Sequence, residues 1–169
     1  MSSNATAHLL YGYDLNGAEG KWRVQEADQW GYLDEEVEER LFAPEWLDED
    51  DHGLVEALAA HLLLALPDSE EADVSKLAWK WNDTLKERTG LWFENYGHHD
   101  QRQIALVAAE LESDCYNPKT VADLAADATP PLDPQAVAKE FARAAEMLAG
   151  LGLTPAQEGP CWMLCASYT

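Results

Sequence analysis

Two adjacent histidines followed by an aspartate, His98, His99 and Asp100, are the residues of this chain best suited to chemistry. Imidazoles and a carboxylate can ligate a metal or transfer protons, and the fold could bring Glu94 and Cys115 near them. However, histidines adjacent in sequence rarely bind one metal ion, and no HExxH or CxxC spacing supports them. We therefore interpret the motif as an exposed polar turn and keep a small enzyme with its site at this turn as an alternative hypothesis.

Two further sequence features could indicate catalysis or nucleotide binding, and both give a weaker signal. Catalysis by Cys115 would need a histidine and an orienting group beside it, which the spacing alone does not show. Gly12, Gly17 and Gly20 lack the spacing of a phosphate-binding loop, and the acidic residues around them would repel phosphate. We therefore expect no metal and no cofactor, and the residues favour binding over catalysis.

The charge of the chain is strongly negative, since 32 acidic residues against 11 basic ones give a formal charge of -21. Ten of the acids lie between positions 34 and 51, where Arg40 is the single basic residue. Such a surface repels nucleic acid and attracts basic surfaces, so we expect a basic protein partner and no direct nucleic-acid binding. The residues assigned to the partner site are Glu45, Trp46, Asp48, Glu49, Asp50, Asp51 and Trp79.

The length of 169 residues suits a single domain, predicted over residues 8–169 after an N-terminal tail at residues 1–7. A membrane helix needs about 18 uninterrupted apolar residues, and the longest apolar stretch, residues 54–66, contains Glu56 and His61. The first residues do not resemble a secretory signal, which predicts a cytoplasmic protein. Three cysteines, an odd number, predict reduced thiols in that compartment.

The first third of the chain predicts a β-hairpin followed by a short helix. Residues 8–14 form the first strand, 17–20 the turn and 21–26 the second strand, with Trp22 and Val24 on its buried face. In the acidic segment, Val37, Leu41 and Phe42 have helical spacing that ends before Pro44.

Two long helices are predicted in the middle of the chain. Asp51 is placed to cap a helix that runs to about residue 66. A second helix spans about residues 69–89, with a capping box formed by Asp68 and Glu71 and a C-cap at Gly90. Trp79 and Trp81 are two positions apart on that helix, so they cannot both face the core.

The second half of the chain predicts strands and two further helices. Residues 91–96 read as a strand, 97–100 as a turn, and 104–112 as a return strand or a helix. A short helix begins at Asn117, a longer amphipathic one at Asp133, and residues 161–168 suit a buried strand. The predicted architecture is α+β, with an antiparallel or mixed sheet of about five strands and helices mainly on one face.

Residues 8–15 and the closing segments 151–155 and 160–168 resemble small hypothetical proteins of high-GC actinobacteria and their phages. A looser likeness covers residues 90–109, where the resemblance implies a hairpin and favours a strand at 104–112. The likeness covers both ends and about a third of the chain. It implies no activity and no site residues.

Charge, aromatic content and resemblance together lead to one main hypothesis, a non-enzymatic acidic protein of phage origin that binds or inhibits a basic partner. A sharper alternative is an inhibitor that mimics nucleic acid and occupies the groove of a DNA-binding or defence enzyme. An equally weighted alternative is that the acidity is general solvation of the surface. The sequence does not indicate the partner's identity or the oligomeric state.

Overall fold

The described part of this computed structural model comprises residues 5–16, 21–47, 52–98, 101–114 and 133–168, and it holds helices and four strands. In chain order these are β1 (Ala5–Asn16), α1 (Glu35–Leu41), α2 (Leu54–Leu64), α3 (Glu71–Val74), a 3-10 helix (Ser75–Lys80), α4 (Trp81–Thr89), β2 (Trp92–His98), β3 (Gln101–Asp114), α5 (Pro134–Leu151) and β4 (Cys161–Tyr168). The predicted α+β class is confirmed, with four described strands where about five were expected.

The four strands form a single sheet that closes on itself in the order β1-β3-β2-β4. β1 pairs antiparallel with both β3 and β4, and β2 and β3 form an antiparallel hairpin that ends at the pair His98 and Gln101. The end of β4 then pairs in parallel with the end of β2, at Gly97 with Ser167 and at His98 with Tyr168.

The middle of β3 is buried on both of its faces, and this explains why the strand was ambiguous in the sequence. Ile104, Leu106 and Ala108 belong to the large core that includes the helices, whereas Ala105 and Val107 pack with Leu10 and Tyr96 on the opposite face. A strand buried on both faces reads as a continuous apolar run without alternation, and such a run also fits a helix. In the structure residues 101–114 form a strand and not a helix.

The predicted second strand of the first hairpin is wrong, although its burial pattern is right. Trp22 and Val24 are buried while their neighbours are exposed, but each makes an isolated bridge, to Asn16 and to Pro155. The reason is that β4 already occupies the edge of β1 from Ala5 to Gly12. Residues 22–25 therefore bond mainly to the end of β1 and to residues 154–156.

The predicted long helix over residues 69–89 is also wrong, because it breaks at Ala78, where φ is 48° and ψ is -124°. The indole of Trp81 donates a hydrogen bond to the Val74 carbonyl over 2.7 Å, and in a continuous helix Ala78 would bond to that same carbonyl. The predicted capping box does not form either: Glu70 is the N-cap, and Asp68 pairs with Arg88.

Other helix predictions are confirmed. α1 buries Val37 and Leu41 and ends before Pro44. α5 begins after Asp133, whose side chain accepts a hydrogen bond from the Gln135 amide over 3.0 Å. Gly90 ends α4 in the left-handed conformation, as predicted. α2 begins at Leu54 after Gly53, while its predicted cap, Asp51, and the helix predicted from Asn117 lie outside the described residues.

The last strand is present as predicted, but its predicted burial is wrong. Cys161 and Leu164 are exposed, and Leu164 is 77% accessible. β4 makes its main contacts with the neighbouring strands β1 and β2, so the helices of the described ranges do not bury its outer face. No helix among the described residues is long and apolar enough to cross a membrane.

Candidate functional site

The histidine motif begins at the end of β2, where the His98 backbone pairs with Gln101 at the start of β3. The His98 backbone ends β2, while the His98 side chain, His99, Asp100 and Cys115 lie outside the described residues. The Glu94 carboxylate, which was considered as a partner of the histidines, accepts a hydrogen bond from the Trp92 indole over 3.0 Å. Among the described residues no cluster of three His, Cys, Asp or Glu could hold a metal ion. The catalytic alternative stays a prediction.

Residues 35–41 of the acidic segment form α1, a helix with one buried and one charged side. Val37 and Leu41 pack against the core and so orient the helix, which leaves its opposite side facing solvent. The exposed carboxylates of this region, called the acidic face below, belong to Asp34, Glu35, Glu36, Glu39 and Glu45. Of the assigned partner residues, Glu45 is in this group and residues 48–51 lie outside the described part.

A rigid turn at residues 28–32, called the aromatic turn, directly precedes the acidic face. One carboxylate oxygen of Asp28 accepts the backbone N–H groups of Trp30 and Tyr32 over 2.8 and 2.9 Å. The turn is also bonded to the rest of the domain, because the Gly31 carbonyl accepts from the Trp22 amide over 2.7 Å. Gly31 has a φ of 86°, a conformation that favours glycine. The turn presents Trp30 at 65% and Tyr32 at 58% exposure.

The two assigned tryptophans differ in their surroundings. Trp46 is half-buried against Trp81, with ring centroids 5.6 Å apart, and its indole donates to Glu71 over 2.9 Å. Trp79 is 74% exposed, with the Lys80 ammonium 5.1 Å from its ring centroid. Trp81 is buried, which confirms that the two neighbouring tryptophans do not share a face.

A buried carboxylate that the sequence analysis did not single out organises a second polar region. Asp14, on β1, accepts the Tyr96 hydroxyl on Oδ1 over 2.7 Å and the Arg23 guanidinium on Oδ2. Its backbone N–H donates to Gln157 Oε1 over 2.5 Å. We call these four residues the Asp14 cluster. An aspartate inside an apolar and aromatic strand was the signal in the sequence that could have indicated it.

Two groups near Asp14, the Tyr96 hydroxyl and the Cys165 thiol, have raised pKa values and so stay protonated at neutral pH. Burial and the hydrogen bond to Asp14 hold the pKa of Tyr96 far above its usual value. Burial, followed by the negative charge of Asp14, raises the pKa of Cys165 to about 11. A thiol with so high a pKa carries almost no thiolate at neutral pH and is a poor nucleophile. Cys165 is therefore not suited to act as a nucleophile at neutral pH.

Comparisons of the chain with protein-family models, with curated proteins and with solved structures find no match. The resemblance to actinobacterial and phage proteins therefore stays a prediction. The features of the chain that bear on function are the acidic face, the aromatic turn and the Asp14 cluster.

Proposed function

We propose that this chain is a non-enzymatic binding protein that uses the aromatic turn and the acidic face to bind a basic surface of a partner protein. The observation that supports this most is the fixed exposure of Trp30 and Tyr32 on a turn held by Asp28. Large aromatic side chains that are exposed and already ordered lose little conformational entropy on binding, so they make good anchors.

The acidic face supplies the second part of the proposal. Its carboxylates follow the aromatic turn in the chain and carry part of a formal charge of -21. At this density, negative charge accelerates encounter with a basic surface and excludes acidic competitors. Aromatic anchors then provide most of the affinity, and carboxylates provide the steering and the specificity.

Within this proposal the assigned tryptophans take different roles. The Trp46 indole donates a hydrogen bond to Glu71 and packs at a tilt against Trp81, so we assign it to holding the acidic segment in place. Trp79 keeps its assignment as a contact residue because it is exposed. Glu45 belongs to the acidic face, and Asp48, Glu49, Asp50 and Asp51 keep their assignment as contact residues from the sequence alone.

The test begins with affinity capture from a native host lysate at low and moderate salt, followed by dissociation constants for the purified partner. The first variant combines Trp30→Ala with Tyr32→Ala, and its control is Leu164→Ala, an exposed apolar residue on β4. We expect the double variant to weaken binding about thirtyfold, corresponding to about 2 kcal/mol for an aromatic anchor, and the control to leave it unchanged.

The charge contribution needs a matched pair of variants. Glu35→Gln, Glu36→Gln and Glu39→Gln together remove three charges from the acidic face, and we expect a lower association rate with a shallower salt dependence. The control removes the same charge from exposed positions elsewhere, by Asp83→Asn, Glu87→Gln and Glu146→Gln. Equal effects of both sets would reduce the role of the acids to general charge and contradict a defined surface.

The same experiment separates the alternative functions. If the captured partner is a DNA-binding enzyme and duplex DNA competes with the chain for it, the partner is bound by nucleic-acid mimicry. A variant with His98→Ala and His99→Ala should bind the partner normally under our proposal. Loss of a catalytic activity in that variant, with no partner captured by the wild type, would support the enzyme alternative instead.

A further inference from the structure

A pocket with a volume of about 490 Å³ opens beside the Asp14 cluster, between the end of β1, residues 22–28 and residues 156–157. Trp22, Val24 and Met163 provide its apolar lining, and Asp14, Arg23, Asp28 and Gln157 provide its polar groups. Small-molecule sites in proteins have volumes of about 300–1,000 Å³ and combine an apolar lining with a few fixed polar groups. The size and composition of this pocket fall within that class.

The walls of the pocket are tied together before any ligand binds. The Gln25 amide donates to the Thr154 carbonyl over 2.8 Å, and the Ala156 amide donates to the Arg23 carbonyl over 3.1 Å. The Glu26 carboxylate accepts both the amide and the hydroxyl of Thr154. Because the two loops are linked in this way, binding would cost little reorganisation.

The hydrogen bonds around the pocket show which kind of group it can accept. The two carboxylate oxygens of Asp14 are engaged by Tyr96 and Arg23, and the amide oxygen of Gln157 is engaged by the Asp14 backbone. Each of these oxygens thus already accepts one hydrogen bond, and Asp28 Oδ1, at the edge of the pocket, accepts two, from the Trp30 and Tyr32 amides.

The donors have capacity left. Among the described residues, Arg23 uses one of its guanidinium N–H groups on Asp14. The Gln157 amide nitrogen reaches two sulfur atoms, Cys161 Sγ at 3.1 Å and Met163 Sδ at 3.9 Å, and sulfur is a weak acceptor. A ligand that brings a strong acceptor would satisfy these donors, which have no strong acceptor of their own left in the cluster.

We infer that this pocket binds a small molecule with an apolar body that ends in a carboxylate. The guanidinium fork of Arg23 matches a carboxylate, and Asp14 holds that fork in place. The negative charge of the chain opposes an anion at long range, but salt screens it beyond about 8 Å at physiological ionic strength. The apolar body lies against Trp22, Val24 and Met163. This inference does not depend on the proposed partner surface.

The test uses three ligands with the same apolar body, 3-phenylpropanoate, 3-phenylpropanamide and 3-phenylpropylamine, titrated into the purified full chain. Binding is followed by calorimetry and by the NMR shifts of the Arg23 and Gln157 side-chain N–H groups. We expect saturable binding of the carboxylate, about tenfold weaker binding of the neutral amide, and none of the amine. Equal or tighter binding of the amine, or no saturable binding of any of the three, would overturn the inference.

Two variants make the test specific to this pocket. Met163→Phe fills the apolar part and leaves the cluster intact, while Arg23→Lys keeps the charge but loses the fork. We expect each to weaken carboxylate binding at least about tenfold with unchanged circular dichroism, and Arg143→Lys on α5, the matched control, to have no effect. Wild-type affinity in both pocket variants would show that the ligand binds elsewhere and would refute the inference.

Discussion

Tyr96 on β2 and Asp14 on β1 are joined across the interior of the closed sheet by a hydrogen bond of 2.7 Å, although the two strands are not neighbours in the sheet. β3 lies between them on one side and β4 on the other. A buried carboxylate without donors is costly, so this bond and the pairing with Arg23 are what allow Asp14 to lie inside the fold.

Replacement of Tyr96 by phenylalanine should therefore destabilise the protein while keeping the ring packed. The variant removes one donor from a buried carboxylate, and hydrogen bonds to charged groups contribute about 1.5–3 kcal/mol. We expect a loss of that size in urea unfolding. Tyr32→Phe, at an exposed ring, is the control and should change stability by less than about 0.5 kcal/mol. A neutral effect of Tyr96→Phe would contradict the buried bond.

The raised pKa of Tyr96 also predicts a loss of stability at alkaline pH. Its pKa in the folded state lies above the unfolded value of about 10, so the contribution is complete below that pH. Above it the unfolded chain loses the proton while the folded chain keeps it, and the free energy of unfolding falls. Tyr96→Phe should make this decline shallower, as measured by urea unfolding across the alkaline range. An unchanged slope would contradict the assignment.

These residues also show why the partners of Asp14 could not be predicted from the sequence. Asp14 finds its partners 9, 82 and 143 positions away, in Arg23, Tyr96 and Gln157. No local spacing encodes such contacts. By contrast, the cap at Asp133 and the stripe through Val137 are contained in one stretch of α5, so the sequence predicted that helix correctly.

The errors in the predicted elements have the same origin. Residues 21–26 alternate as a strand does, but whether they join the sheet depends on β4, which comes from the other end of the chain. The break at Ala78 depends on a side chain, Trp81, that takes a backbone acceptor from the helix. A long-range strand pairing overrides the local pattern at residues 21–26, and a side-chain hydrogen bond to the backbone overrides it at Ala78.

Replacement of Ala78 by glycine should stabilise the protein. Its φ of 48° lies in a region that glycine adopts freely and alanine adopts at a cost. We expect Ala78→Gly to raise the free energy of unfolding by about 1 kcal/mol. The matched control is Ala72→Gly in α3, which should lower it by about 0.5–1 kcal/mol, as glycine does in a helix. Destabilisation by both variants would indicate a continuous helix over residues 69–89.

His61 makes the junction of α1 and α2 sensitive to acid. Its Nε2 lies 2.9 Å from the Leu41 carbonyl, and burial lowers its pKa below the ordinary value of 6.5. The unfolded chain therefore takes up a proton before the folded chain does, and stability falls as the pH drops below about 6.5. His61→Gln retains a donor but does not titrate. We expect its unfolding free energy to change less between neutral and mildly acidic pH than that of the wild type, and equal pH dependence would exclude His61 as the cause.

Two glycines with opposite surroundings provide the last test of the fold. A Cβ at Gly12 would lie 1.9 Å from the Leu106 carbonyl oxygen, at the register shift between β1 and β3. Because that contact is with backbone, Gly12→Ala must move a strand, and we expect a loss of about 3 kcal/mol in urea unfolding. A Cβ at Gly150, near the end of α5, would meet nothing within 4 Å. Gly150→Ala should therefore raise stability by about 0.5–1 kcal/mol through helix propensity. Neutral effects of both substitutions would show that β1 and β3 do not approach each other this closely in solution. That close approach brings Asp14 toward Tyr96 and Arg23.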